Sequence, residues 1–143
     1  MKIDAHHHFW KYDPVRYSWM NERMEVLKKD YQPADLLVEI EKTGIDGVVS
    51  VQADQSMLET DELLEHAARH DFIKGVVGWF PLADSSVEEV LSEYAHNPWL
   101  KGVRHVVQDE PDDRFILGNA FNEGIRKLEQ FDLVYDILIY ERQ

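Results

Sequence analysis

Apolar residues along this chain gather in short runs, and between the runs they recur at helical spacing. Runs rich in Val, Ile, Leu and aromatics fall at residues 2–6, 45–52, 73–79, 100–107 and 133–140, and each reads as a strand. The first helix opens at Pro33, carries its apolar stripe on Leu36, Leu37 and Ile40, and stops at Gly44. Ser56 with Glu59 marks a capping box for the second, which buries Leu63, Leu64, Ala67 and Ala68. Ser85 with Glu88 opens the third, with Val87, Val90, Leu91 and Tyr94 on its inner face. A fourth follows Gly118-Asn119 and aligns Phe121, Ile125 and Leu128.

Three strands share a phrase. Ile45-Asp46-Gly47-Val48-Val49, Ile73-Lys74-Gly75-Val76-Val77 and Leu100-Lys101-Gly102-Val103-Arg104 all read apolar, charged, Gly, Val, about 28 residues apart. Such spacing marks repeating βα units. Apolar strands alternating with amphipathic helices imply a parallel sheet covered by helices, as a closed (β/α)8 barrel or an open doubly wound sheet. No glycine-rich phosphate fingerprint follows the first strand, which disfavours the nucleotide-binding form and puts the barrel first. The expected fold is α/β, TIM-barrel-like, with about five βα units in one partial barrel domain over residues 1–143.

Composition narrows the chemistry. With 28 acidic against 15 basic residues the net charge is -13, which opposes nucleic acid and anionic membranes as partners and favours a small molecule. No stretch approaches the roughly 18 consecutive apolar residues of a membrane span, and no signal-peptide pattern opens the chain, so a cytoplasmic protein is expected. The chain has no cysteine, which excludes disulfides, thiolate ligands and a cysteine nucleophile.

In a barrel the active site lies at the C-terminal ends of the strands, and polar residues there read as functional. The first strand ends in Asp4-Ala5-His6-His7-His8-Phe9-Trp10, where His6 and His8, two apart, share one face and suit a divalent metal. A tag remnant and purely structural histidines are the competing readings, the former opposed by the Ile3-Asp4-Ala5 and Phe9-Trp10 flanks. The second strand ends in Gln52 and Asp54, the third in Trp79, the fourth in Arg104 and His105, and the fifth in Tyr140. Arg104 stands where the repeat elsewhere has Val49 and Val77. A permanent charge inside a strand needs an anion or oxygen-rich ligand, unless it reaches solvent or pairs with Asp109 or Glu110. Residues 9–32 form a long, aromatic first connection, read equally as a lid over a pocket or as a stabilising cap. His66 and His70, among Glu62, Glu65 and Arg69, read as solvated surface, and His96 as a helix-terminal charge. The acidic run 108–113 reads as a solvated loop.

The phrases 3–10, Val49-Ser50-Val51-Gln52-Ala53, Val76-Val77-Gly78-Trp79 and Lys101-Gly102-Val103-Arg104-His105 together resemble strands of the amidohydrolase superfamily, in order and spacing. The similarity is greatest to its amidohydrolase-2 group of sugar lactonases and 2-pyrone-dicarboxylate lactonases. The resemblance implies hydrolysis of a cyclic ester by activated water, with His6 and His8 as ligands of one divalent metal, zinc first among candidates. It implies substrate contacts from Trp10, Gln52, Arg104, His105 and, more loosely, Tyr140. Lys101 sits at the wrong end of its strand to bridge two metals and the fifth strand has no histidine, so one metal or none is implied. The family's later histidine and final aspartate have no counterpart here, which places the general base beyond Gln143. The chain is therefore expected to be the first half or more of such a barrel, with little activity alone. The alternative is a non-catalytic α/β module that forms homo-oligomers through its open sheet edge.

Overall fold

The computed structural model describes all residues, Met1–Gln143. Five strands, β1 (Ile3–His7), β2 (Gly47–Val51), β3 (Ile73–Gly78), β4 (Leu100–Val106) and β5 (Val134–Leu138), alternate with four helices, α1 (Pro33–Thr43), α2 (Met57–Arg69), α3 (Val87–Tyr94) and α4 (Asn119–Lys127). The strands pair in chain order, all parallel, into one curved sheet that forms a half-barrel. Each expected strand is present, the first shifted by one residue to Ile3–His7 and the other four shorter than their apolar runs. The second begins at Gly47, and the fifth ends at Leu138, beyond which the backbone of Tyr140 is engaged by Gln143.

Register explains the repeated phrase. A Cβ at Gly47 would lie 2.7 Å from Lys74 Cγ and from Phe72 O, one at Gly75 2.8 Å from Lys101 Cγ, and one at Gly102 2.8 Å from Val134 Cγ2. At each repeat the glycine admits a side chain of the next strand, the lysine of the following phrase over Gly47 and Gly75 and Val134 over Gly102. The phrase thus encodes strand stacking.

The helix-covered face carries Val48, Ile73, Val76, Leu100 and Val103, packed with Phe80, Leu82, Leu63, Leu64, Ala67, Leu91, Phe121 and Leu128 in the main core. The opposite, concave face carries Val51, Val77, Arg104 and Asp136, which pair laterally as Val51 with Val77 and Arg104 with Asp136, while register shifts interrupt the alternation nearer the strand starts.

Helix termini follow the sequence with local differences. Gly44 closes α1 in the left-handed region at φ 67°. Ser56 Oγ caps α2 through Glu59 N at 3.3 Å, yet the Glu59 carboxylate does not return to close the box. The third helix starts at Val87, two residues later than the Ser85 signal, because Asp84 takes Ser86 N and Ser86 Oγ and holds residues 84–86 in a turn. Ala68, expected inside, is exposed, while Ala67 is buried. No helix is long and apolar enough to cross a membrane.

Candidate active site

Parallel strands bring their C-terminal ends to one rim, and there the side chains of His6, His8, Gln52 and Arg104 meet. His6 and His8 leave β1 on its concave side with their rings edge to face, 4.8 Å between centroids. Their Nε2 atoms are 3.1 Å apart. His8 Nδ1 lies 2.8 Å from Val51 O, and since a carbonyl only accepts, the proton sits on Nδ1 and Nε2 keeps its lone pair. Arg104 Nη1 lies 3.1 Å from His6 Nε2, and since a guanidinium only donates, that nitrogen also accepts.

Two lone pairs therefore face each other. Burial lowers the pKa of His8 to about 4, with Arg104 and the neighbouring histidines adding to the effect, and burial and then Arg104 lower that of His6. Near neutral pH neither ring carries the extra proton that would relieve the contact. Two nitrogens bound at about 2.05 Å to one tetrahedral zinc stand roughly 3.3 Å apart. The pair thus fits two ligands of a single cation. No cluster of three or more His, Asp or Glu side chains is placed to hold a metal.

Arg104 is only 6% exposed and its guanidinium is fixed on three sides. Nε donates to Gln52 Oε1 at 2.8 Å, an Nη2 proton goes to Gln52 O, and an Nη1 proton goes to His6. Three of its five N–H groups are engaged, leaving two to face a ligand. Burial lowers the Arg104 pKa, with Asp136 and Glu59 opposing, but a guanidinium remains charged. Gln52, wholly buried, serves Arg104 with both its side-chain and backbone oxygens. Expected as a substrate contact, Gln52 is buried and hydrogen-bonded to the guanidinium.

The rim opens into a cavity of about 590 Å³ whose lining includes His8, Arg104, Trp10, Trp19, Met24, Gln108 and Tyr140. Trp10 presents its ring there while its indole N–H donates to Lys29 O at 2.8 Å and Leu27 O at 3.1 Å, so only the apolar face is available. Tyr140 lines the cavity from beyond β5, with Arg142 4.6 Å over its ring. The first connection forms one wall and is fastened in place. Arg16 bridges Asp54 at 2.9 Å and Glu62 at 2.8 Å, Tyr17 bonds Glu59 at 3.2 Å, and Trp10 pairs with Tyr31 as an isolated antiparallel bridge.

His105 is turned away from this group. Its neighbours in the strand alternate faces, and with Val103 it lies on the helix side, stacked on Phe115 at 5.0 Å. The Trp79 indole donates to His105 Nδ1 at 3.2 Å, which puts the proton on Nε2 and directs it to Glu110 Oε1 at 2.7 Å. Arg104 and His105, both expected as substrate contacts, thus lie on opposite faces of β4, as adjacent strand residues must. His66, read as solvated, packs edge-on against Phe9 at 5.9 Å.

Two carboxylates near the site were not among its expected residues, Glu59 having been read only as part of the α2 cap. Asp136 lies beside Arg104 in register on β5, and an acid within an apolar run was a signal of the same kind as Arg104. Glu59 is 1% exposed, and burial pushes its carboxyl up to about 7 against two backbone donors that favour the anion.

A sequence model of the amidohydrolase family matches residues 3–141. The chain is similar to L-fucono-1,5-lactonase of Burkholderia multivorans, 38% identical over 144 residues, which span 100% of this chain and 48% of that protein. It is 30% identical over 141 residues to L-fucono-1,5-lactonase of Burkholderia ambifaria, covering 99% of this chain and 49% of the relative. Among solved structures, an amidohydrolase from Burkholderia multivorans with bound Zn superposes at a TM-score of 0.94 with 37% identity, covering all of this chain and 50% of that one. The chain spans about half the length of the curated relatives it matches.

Proposed function

The chain belongs to the amidohydrolase family, and from that premise we propose that His6, His8 and Arg104 belong to a site that hydrolyses the cyclic ester of a sugar lactone. The observation that carries the reading is the convergence of three nitrogens at one rim: His6 Nε2 lies 3.1 Å from both His8 Nε2 and Arg104 Nη1. The lactonase relatives and the zinc-bearing neighbour support the reaction class and the cation.

His6 and His8 would hold one divalent cation, zinc first among candidates. Such a cation supplies Lewis acidity, polarising a carbonyl and lowering the pKa of water. Val51 O keeps the His8 ring in the tautomer that presents Nε2. The two free N–H groups of Arg104 donate to the ester carbonyl oxygen as it gains charge, and Gln52 keeps the fork from turning away. Trp10 and Trp19 cover the apolar face of the sugar ring and exclude water from it. Tyr140 closes the far side of the cavity. In this reading His105 holds the loop 107–110 through Glu110 and so supports the wall from behind. The general base is assigned to no residue of 1–143.

Calorimetric titration with zinc tests the ligand pair. One Zn²⁺ per chain is expected, with affinity falling at least about tenfold in His6→Ala and in His8→Ala. Binding unchanged in both variants contradicts the assignment.

One observation favours the second reading, a non-catalytic assembly module. Strands β1 and β5 are the sheet edges, and β5 exposes Val134 and Ile137, 58% and 67% accessible. It calls for a stable homo-oligomer without stoichiometric metal, which sedimentation and metal analysis separate from the first.

A further inference from the structure

A buried carboxylate that the reaction does not use stands behind the site. Glu59 lies in the first turn of α2, 1% exposed and without a cation in contact. Its Oε2 accepts from Ala53 N and from Asp54 N, both at 2.7 Å, and its Oε1 accepts the Tyr17 hydroxyl at 3.2 Å. Leaving a carboxylate so far from water is costly unless donors fill its oxygens, and here two successive backbone N–H groups clasp one of them.

The clasped residues follow Gln52 directly. Gln52 N is tied to Val77 O at 2.8 Å, so the strand side of this residue is fixed by β3. On the other side, the direction of the chain leaving Gln52 is set by the two amides on Glu59. The Gln52 side chain and carbonyl in turn hold Arg104 Nε and Nη2, and Arg104 reaches His6. Hydrogen bonds joined by the backbone of residues 52–54 thus lead from α2 to the guanidinium. The same carboxylate holds Tyr17, which packs with Trp10 and Met20 in the small core behind the cavity wall.

We propose that Glu59 is a positioning residue: it fixes the Ala53–Asp54 backbone so that Gln52 aims the Arg104 guanidinium into the cavity, and ties the aromatic wall to the same anchor through Tyr17. The inference rests on the reading of Arg104 as the group that meets the substrate oxygen. Its test reads Arg104 itself and is independent of turnover, so failure of one does not imitate failure of the other.

Replacing Glu59 by Leu removes both acceptor oxygens at similar volume. Glu59→Gln keeps an acceptor for the two amides and can turn its NH2 toward the Tyr17 oxygen, and serves as the conservative rescue. The readout is water exchange of the Arg104 Nε–H by nuclear magnetic resonance on the full chain, with the amides of Val76 and Val103 as monitors of the core. In Glu59→Leu the Arg104 Nε–H exchanges at least about tenfold faster while the two core amides keep their protection, and Glu59→Gln returns it to within about twofold. An unchanged Arg104 signal in Glu59→Leu overturns the proposal. So does acceleration shared equally by Val76 and Val103, the mark of a purely structural role. Should Glu59→Leu fail to fold, Glu59→Asp carries the test, because one methylene less withdraws the oxygen from the amides. Its Arg104 Nε–H must also exchange faster, and an unchanged value overturns the proposal equally.

Discussion

Glu59 joins residue chemistry to stability. Burial raises its carboxyl from the ordinary range to about 7, so the folded chain binds this proton more tightly than the unfolded chain does. The corresponding stability is fully present below about pH 4.5 and is lost as pH rises through about 7. Between pH 5 and 8 the unaltered chain is expected to lose roughly 2–3 kcal/mol more than Glu59→Gln, measured by urea unfolding at each pH. Parallel losses in the two proteins would contradict the burial argument. At this scale the sequence was legible where a residue broke a pattern. Arg104 stood out against Val49 and Val77, and His6 and His8 by their spacing. It was silent on what meets a side chain across space. Gln52 and Arg104 are 52 residues apart, and no local pattern distinguishes a glutamine that touches substrate from one that holds the arginine. The face of His105 was recoverable, because strand alternation puts it opposite Arg104.

Elements were read well because their signals are local. The Gly44 stop, the Pro33 start and the apolar runs all depend on neighbours in sequence. The start of α3 was displaced because Asp84 competes for the Ser86 amide and hydroxyl, an alternative that the Ser85–Glu88 spacing cannot reveal. Helix α4 shows a constraint that its periodicity hides. A Cβ at Gly124 would stand 1.9 Å from Leu82 O, so α4 lies against the backbone that follows β3, where only glycine fits. Gly124→Ala is expected to cost about 3 kcal/mol or more, since backbone atoms must move apart to admit a methyl group. Denaturant unfolding of the variant checks this, and a change under about 0.5 kcal/mol would mean that α4 is free to shift.

At the scale of the whole molecule, five parallel strands gather residues from positions 6 to 140 at one rim. The repeated phrase made this parallel order legible, and the length of the first connection left a lid and a stabilising cap equally open. It was silent on how Arg16, Tyr17 and Trp10 fasten that connection, because their partners lie on the second βα unit and on backbone carbonyls. The proposed lactone site sets His6, His8 and Arg104 against an aromatic face. The direct measurement is a tryptophan fluorescence titration of the zinc-supplemented chain with L-fucono-1,5-lactone, since Trp10 and Trp19 line the cavity. A saturable change is predicted, weakened at least about tenfold in His8→Ala and in Arg104→Lys, which keeps the charge and loses the fork, and retained in His105→Ala. No saturable change, or an equal one in Arg104→Lys and His8→Ala, would contradict the account.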